Sequence, residues 1–301
     1  MKMVYEGLKN RIKGELLLNA PMKKYTTWKI GGPADCLVLP EDAGDIAEAL
    51  RYAGEQGIPC YVIGNGSNLL VLDGGIEGMV IRIGENMSSY AIDGTLLTAQ
   101  SGCVLARMAR ETAKRGFAGI EWAAGIPASM GGAAYMNAGA YGHCFYETLE
   151  AVEVVERNGD IRVLSVEELS SGYRHTSLME TGAVVTKVMV RLTHGDKEAL
   201  TASVEATLRS RREKQPLDLP SAGSVFKNPE GSHAGYLVEL SGLRGKRIGN
   251  AQVSEKHGNF IVNLGDCTAK DVLSLIEDVK AEVKKQQGFD LETEVLMIGR
   301  P

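Results

Sequence analysis

Two glycine-rich segments hold the residues best suited to chemistry. The first, Gly64-Asn65-Gly66-Ser67-Asn68, follows the apolar run Tyr61-Val62-Ile63 and leads into Leu69-Leu70-Val71. A strand that ends in such a turn can aim successive backbone N–H groups into one concavity. With Ser67 and Asn68 adding side-chain donors, the natural guest is a phosphate. The second segment runs from Gly125-Ile126-Pro127-Ala128-Ser129-Met130-Gly131-Gly132 through Asn137-Ala138-Gly139-Ala140-Tyr141-Gly142. Small residues at this density let backbone approach backbone, or a flat ligand. Neither segment is a G-x-G-x-x-G opening a helix, and the G-x-x-x-x-G-K-[ST] and G-x-S-x-G patterns are absent. Rossmann, P-loop and α/β-hydrolase readings therefore fail.

Four polar stretches accompany the loops. Tyr173-Arg174-His175-Thr176 sits in an expected loop, where a guanidinium can reach an anion. Leu200, Val204, Leu208, Arg211 and Gln215 fall on one helical stripe, so Arg211 and Gln215 continue an inward face, with Lys214 flanking it. An inward arginine needs an anion from protein or ligand. Ser224-Val225-Phe226-Lys227-Asn228 supplies a hydroxyl, an ammonium and an amide, and Glu292 and Glu294 share one face of an expected terminal strand. The five histidines lack metal-ligand spacing and are read as structural or solvated. The five cysteines contain no C-x-x-C pair, so neither a disulfide framework nor a thiolate metal site is expected.

The elements that must position these residues alternate in type. Ile46, Ala49, Leu50 and Ala53 have helical spacing ahead of the strand 61–63, and strands are expected over 79–83 and 95–100. A helix over 104–115 is closed by Gly116. Strands 151–155 and 161–164 flank Asn158-Gly159, which predicts a hairpin with a type I′ turn. Ser165 to Glu168 reads as a capping box, 183–192 as a strand, and Asp196 as the cap of a helix reaching Lys214. Thr268 caps a last helix with Val272, Leu275, Ile276, Val279 and Val283 on one stripe, ended by Gly288, and 291–297 is expected as a strand.

At roughly 150 residues per domain, 301 residues suggest two domains. The expected division is an N-terminal ligand-binding region over 1–194, with subdomains of about 1–86 and 87–194, and a smaller domain over 195–301 whose last strand packs back on the first region. The chain has 36 glycines in 301 residues, well above the background of about 7%. A net charge of −5 argues against nucleic acid as a partner and leaves room only for a local anion site. No apolar run of membrane-spanning length occurs, and the scattered thiols fit a cytoplasmic protein.

Taken in order, Thr27-Trp28-Lys29-Ile30-Gly31-Gly32, Gly64 to Asn68, Gly125-Ile126-Pro127, Gly131-Gly132, Asn137 to Tyr141, Tyr173-Arg174, Arg211-Arg212 with Lys214-Gln215-Pro216, and Gly223-Ser224 through Pro229 make the chain resemble the UDP-N-acetylenolpyruvoylglucosamine reductases. The resemblance implies a mixed α/β (α+β) fold: an FAD-binding fold of the vanillyl-alcohol-oxidase (PCMH) type with two α/β subdomains, plus a smaller α/β substrate-binding domain. It implies non-covalent FAD, NADPH as reductant, a UDP-sugar substrate, no metal and no membrane or nucleic-acid partner, in a cytoplasmic monomer. Gly64, Asn65, Gly66, Ser67, Asn68, Gly125, Ile126, Ser129, Gly131 and Gly139 would hold FAD. Arg174, Ser224 and Glu294 would be catalytic, and Tyr173, Arg211, Lys214, Gln215 and Asn228 would contact substrate. Longer members close a tyrosine-bearing loop over the substrate; this chain is similar to the shorter form. Two other readings of the same residues stay open at this point, a different flavoenzyme of that fold and a non-catalytic sugar-nucleotide binding protein.

Overall fold

The helix expected around Ile46 spans Ala43–Gln56 and begins where the Asp42 side chain accepts from the Asp45 N–H (3.0 Å). It stops at Gly57, whose φ of 64° lies in the left-handed region that closes helices. Its buried stripe of Ile46, Ala49, Leu50 and Ala53 packs with Leu8, Ile12, Cys36, Val38 and Ile81. The helix links Pro33–Leu39 to Cys60–Ile63 in a four-stranded sheet ordered Glu15–Pro21, Pro33–Leu39, Ile76–Arg82, Cys60–Ile63. Cys60–Ile63 runs parallel to Met79–Arg82.

A second, five-stranded sheet is antiparallel, in the order Ile161–Ser165, Leu149–Val155, Val184–Arg191, Leu96–Gln100, Tyr90–Asp93. Its central strand buries Val185, Val188 and Val190 in one core with Leu105, Met108 and Ala109 of the helix Leu105–Lys114 and with Met130, Ala133 and Ala134 of Met130–Tyr135. The hairpin at Asn158-Gly159 forms, but not with a type I′ turn. Only Gly159 has positive φ (85°), and Gly159 N–H donates to Glu156 O (2.9 Å) while Glu156 N–H donates to Asp160 O (2.8 Å). Asn158 instead turns its Oδ1 to the Asp160 N–H (2.9 Å), a local side-chain turn that competes with the left-handed conformation.

This computed structural model describes residues 2–301, with side chains from Val4 onward. The chain divides into two compact units, neither contiguous in sequence. One takes the chain up to Leu18, Cys36–Asn65 and Gly78–Arg209; the other takes Asn19–Asp35, Gly66–Glu77 and Ser210–Pro301. In the second unit Trp28, fully buried, donates from Nε1 to Ile261 O (2.9 Å), and Asn263 Nδ2 donates back to Trp28 O (2.9 Å). Around it pack Leu70, Phe226, Val272, Leu275 and Ile276. The last helix, Ala269–Gln287, has the expected Thr268 cap and Gly288 stop. Its first N–H groups at Ala269 and Lys270 also donate to the Asp73 carboxylate (2.8 and 3.0 Å).

The expected strand 291–297 is shorter. Thr293 forms only an isolated bridge with Phe226, and regular pairing is confined to Leu296–Ile298, parallel to Leu69–Val71 in the same unit. The cause is a change of partner: Glu294 N–H donates to Val225 O, whereas Leu296 N–H donates to Asn68 O.

Asp45 supplies a test of how the first unit is held. Its carboxylate is buried and accepts from the N–H groups of Lys13 (2.8 Å), Gly14 (2.9 Å) and Glu41 (2.9 Å). Asp45→Ala strands three donors and should cost about 2 kcal/mol or more. Asp45→Asn, which keeps one acceptor, should cost less. Urea unfolding of both variants checks this, and an unchanged midpoint in Asp45→Ala would contradict it.

Candidate functional site

In the first unit the strand Cys60–Ile63 delivers Gly64 and Asn65 to the second glycine segment. Asn65 Nδ2 donates to Pro127 O (3.0 Å), and a side chain at Gly64 would overlap Ser129 Oγ. Ser129, buried, caps the helix Met130–Tyr135 by accepting from the Gly132 N–H (3.2 Å). Gly131 N–H donates to Ser101 O (3.1 Å), and a Cβ at Gly131 would come within 2.6 Å of the Ser101 side chain. The Ser101 hydroxyl is buried there without a hydrogen-bond partner. Gly125 and Ile126 are half-buried on the same segment. The joined loops thus present glycine backbone, hydroxyls, a carboxamide and a leftover buried donor. Among the described residues no cluster could hold a metal. This neutral, donor-rich set fits the phosphates and flat ring of FAD.

Arg174 reaches the same segment. Its Nη2 donates to Gly139 O (3.0 Å), and its guanidinium lies over the ring of Tyr173 (5.0 Å). The two residues form the tip of a short hairpin, Ser171–Gly172 against His175–Thr176. That hairpin is tied down at Asn137 Nδ2 to Gly172 O (3.0 Å) and Thr176 Oγ1 to Tyr135 O (2.6 Å). Asn137, Tyr141 and Arg174 all hold left-handed φ values (43°, 57° and 56°), a cost of order 1–3 kcal/mol each that the surrounding bonds must sustain. Sequence reasoning missed this tether, since Asn137 and Thr176 show nothing but their polarity. Tyr173 is more than half exposed. His143, beside this segment, pairs with Glu147 (2.9 Å) and stacks on Trp122.

In the second unit Gly66 (φ 61°) accepts at its carbonyl from Thr27 N–H (3.2 Å), and Asn68 Nδ2 donates to Glu294 O (3.0 Å); Ser67 lies half-buried between them. Ser224, half-buried, follows Gly223 (φ 75°). Glu294 N–H donates to Val225 O (2.8 Å), so Ser224 and Glu294 are held in register on adjacent segments. Glu292, on the same segment, is occupied by Lys227 Nζ (2.6 Å). Asn228 Oδ1 accepts from Ala234 N–H (3.1 Å), capping the helix Ala234–Leu240. Arg211 and Lys214 lie in the last turn of Lys197–Lys214, with Gln215 just after it. Arg211 and Gln215 are half-buried, Gln215 Oε1 has no partner, and Lys214 is exposed.

His257 is depressed below its usual range by burial first, then by Arg244 and Arg211. Its Nδ1 accepts from Asn259 N–H (3.2 Å). Burial pushes the Cys60 thiol up to about 11 and Cys267 up to about 12, so neither serves as a nucleophile.

Comparison with known proteins agrees with this division of chemistry. A family described as FAD binding domain matches residues 34–165, and one described as UDP-N-acetylenolpyruvoylglucosamine reductase, C-terminal domain, matches residues 215–298. The chain is 48% identical to the UDP-N-acetylenolpyruvoylglucosamine reductase of Heliobacterium modesticaldum over 288 residues, covering 95% of this chain and 92% of that one. It is 43% identical to that of Bacillus velezensis over 300 residues, 99% of each. The crystal structure of the enzyme from Thermus caldophilus superposes with a TM-score of 0.81 at 38% identity, covering 95% of this chain and 99% of that one. With relatives this similar over nearly its whole length, the chain belongs to the UDP-N-acetylenolpyruvoylglucosamine reductase family, an FAD-binding α/β fold joined to that family's C-terminal domain.

Proposed function

We propose that Arg174, Ser224 and Glu294 carry the chemistry of the family's reaction in this chain. That reaction is the NADPH-dependent, FAD-mediated reduction of the enolpyruvyl group of UDP-N-acetylenolpyruvoylglucosamine to UDP-N-acetylmuramate, a step of peptidoglycan precursor synthesis. Bound FAD, reduced by NADPH, would supply the hydride chemistry at the methylene carbon. The residues of this chain must then stabilise the negative charge that grows on the substrate carboxylate and protonate the adjacent carbon. Arg174 gives the fixed cation, and Glu294 is the third catalytic group beside the same carboxylate. Ser224 donates the proton. A hydroxyl is a weak acid, useful only against a strongly basic carbanion, and this substrate generates one.

The observation that best supports the reading is the Glu294 N–H to Val225 O bond, which keeps two of the three groups at a fixed spacing. Gly64, Asn65, Gly66, Ser67 and Asn68 would hold the pyrophosphate of FAD non-covalently. Gly125, Ile126, Ser129, Gly131 and Gly139 would line its pyrophosphate, ribityl chain and ring. Arg211 and Lys214 pair with anionic groups of the UDP-sugar, while Tyr173, Gln215 and Asn228 complete its contacts. The functional division is FAD binding by 1–194 and substrate binding by 195–301. No helix among the described residues is long and apolar enough to cross a membrane. The cysteines form no disulfide among the described residues, and we take the chain to be a cytoplasmic monomer.

The purified protein should show flavin absorption that bleaches anaerobically with NADPH and returns on adding the enolpyruvyl UDP-sugar; a colourless chain that refuses FAD would contradict the reading. Ser224→Ala should leave reduction by NADPH intact and slow substrate-driven reoxidation at least about 10²-fold. Near-normal reoxidation would reject Ser224 as proton donor. Arg211→Ala should raise the substrate KM by roughly 10- to 10²-fold, since it removes a charge-assisted bond; an unchanged KM would remove Arg211 from the substrate contacts.

A further inference from the structure

The segment that carries Ser224 has a partner on each edge, and only one of them is a strand-like backbone. On one edge Glu294 N–H donates to Val225 O and Lys227 N–H donates to Glu292 O (both 2.8 Å). On the other edge stands a single residue, Asn259. Its carbonyl accepts from Val225 N–H (2.8 Å), its side-chain Oδ1 accepts from Phe226 N–H (2.9 Å), and its Nδ2 donates to Phe226 O (2.8 Å).

Asn259 lies in a turn, closed by the Phe260 N–H to His257 O bond (3.0 Å). A turn offers one backbone carbonyl in the right direction. The carboxamide supplies the missing acceptor and donor and so imitates the next residue of a strand. Of the side chains of similar volume, leucine has neither group and an ionised aspartate has only acceptors. Asn259 is itself fixed, 4% exposed, with its own N–H bonded to His257 Nδ1.

Ser224, by contrast, has a hydroxyl with no hydrogen bond to any described residue, and it follows Gly223, whose left-handed φ lets the chain turn into the clamp. The place of Ser224 in the chain is therefore set by the backbone bonds of the residues beside it. We infer that Asn259 is a positioning residue that holds Ser224 in register with Glu294 through its two-point bond to Phe226. This rests on the assignment of Ser224 as proton donor. Displacements of about 1 Å in a reacting group can cost up to about 10²-fold in rate, and losing one edge of the clamp permits a shift of that size.

The test follows substrate-driven flavin reoxidation and NADPH-driven flavin reduction separately in Asn259→Ala, Ser224→Ala and the double variant, with FAD content and thermal midpoint measured on each holoenzyme. Asn259→Ala should slow reoxidation about 10-fold or more and leave reduction within about twofold. The double variant should be no slower than Ser224→Ala alone by more than about twofold, because the two changes act through one group. Asn259→Asp keeps the volume and the acceptor toward Phe226 N–H but turns a carboxylate oxygen, in place of the donor, toward Phe226 O. It should show the same split between half-reactions, and it replaces the alanine variant if that chain does not fold.

Equal slowing of both half-reactions, or rate losses that multiply in the double variant, would overturn the positioning role. If Ser224→Ala slows reoxidation but neither Asn259 variant does, the inference about Asn259 fails alone. If Ser224→Ala is itself normal, the proton-donor assignment fails and takes this inference with it.

Discussion

Backbone amides removed from water must find partners, and in this chain the loops that carry chemistry cannot find them in regular sheets. Side chains take over that task. Asp45 gathers three N–H groups ahead of the first long helix, Asp73 gathers two at the start of the last one, and Asn259 completes one edge of the segment beside Ser224. Asn137 spans the same gap between Tyr146 N–H and Gly172 O, under the hairpin that presents Tyr173 and Arg174. Most of these bonds join segments distant in sequence. The reactive groups therefore stand on irregular backbone that is nonetheless fixed, which lets loops hold a geometry that catalysis needs.

The same constraint explains where left-handed backbone is tolerated. Arg174 carries φ 56° although arginine gains nothing from it. The strain is sustained because Thr176 and Asn137 hold the two strands of the hairpin while the guanidinium is bonded to Gly139 O. Glycine is needed for closer approach. Gly131 lets the helix Met130–Tyr135 begin against Ser101, and Gly64 leaves room for Ser129. At these positions the tight neighbour is protein, so the glycines shape the loop surface and act on a ligand only through that shape.

Where one face of a regular element meets a core, the sequence was legible. The stripes Ile46-Ala49-Leu50-Ala53 and Val272-Leu275-Ile276-Val279-Val283 are buried as their spacing requires, and Gly57 and Gly288 end those helices through left-handed caps. Legibility ended where partners are non-local. Trp28 and Leu70 belong to the core of the second unit, but each lies in a short segment with no periodicity of its own. The run 291–297 alternates like one strand and yet changes partner between Glu294 and Leu296. The Asn158-Gly159 pair was read as a type I′ turn because the dipeptide favours it, whereas Asn158 bonded its own neighbour instead. Of the candidate site, the motifs marked which residues to place in it. Asn137 and Thr176 stood inside those motifs, but their part in holding them was not legible, and Asn259 left no signal at all, since a lone polar residue in a turn looks the same whether it faces water or clamps a strand.

The proposed use of a hydroxyl as proton donor suits the electrostatics of the second unit. An imidazolium would be the stronger acid, and His257 lies two residues from Asn259. It is unsuited to that role. Burial and the positive charges of Arg244 and Arg211 oppose its protonation, with only Glu239 acting the other way, and its Nδ1 lone pair is already committed to the Asn259 N–H. Burial and these two cations hold the imidazole pKa down, and the imidazole Nδ1 serves as an anchor for the Asn259 N–H. The proposed donor, Ser224, stands next to Val225, whose carbonyl accepts from Glu294 N–H. A hydroxyl gives up its proton only to a carbon far more basic than itself, which restricts it to the step after hydride arrives at an enolpyruvyl group and makes premature proton loss to water unfavourable. The weak acid and the strongly basic intermediate are thereby matched.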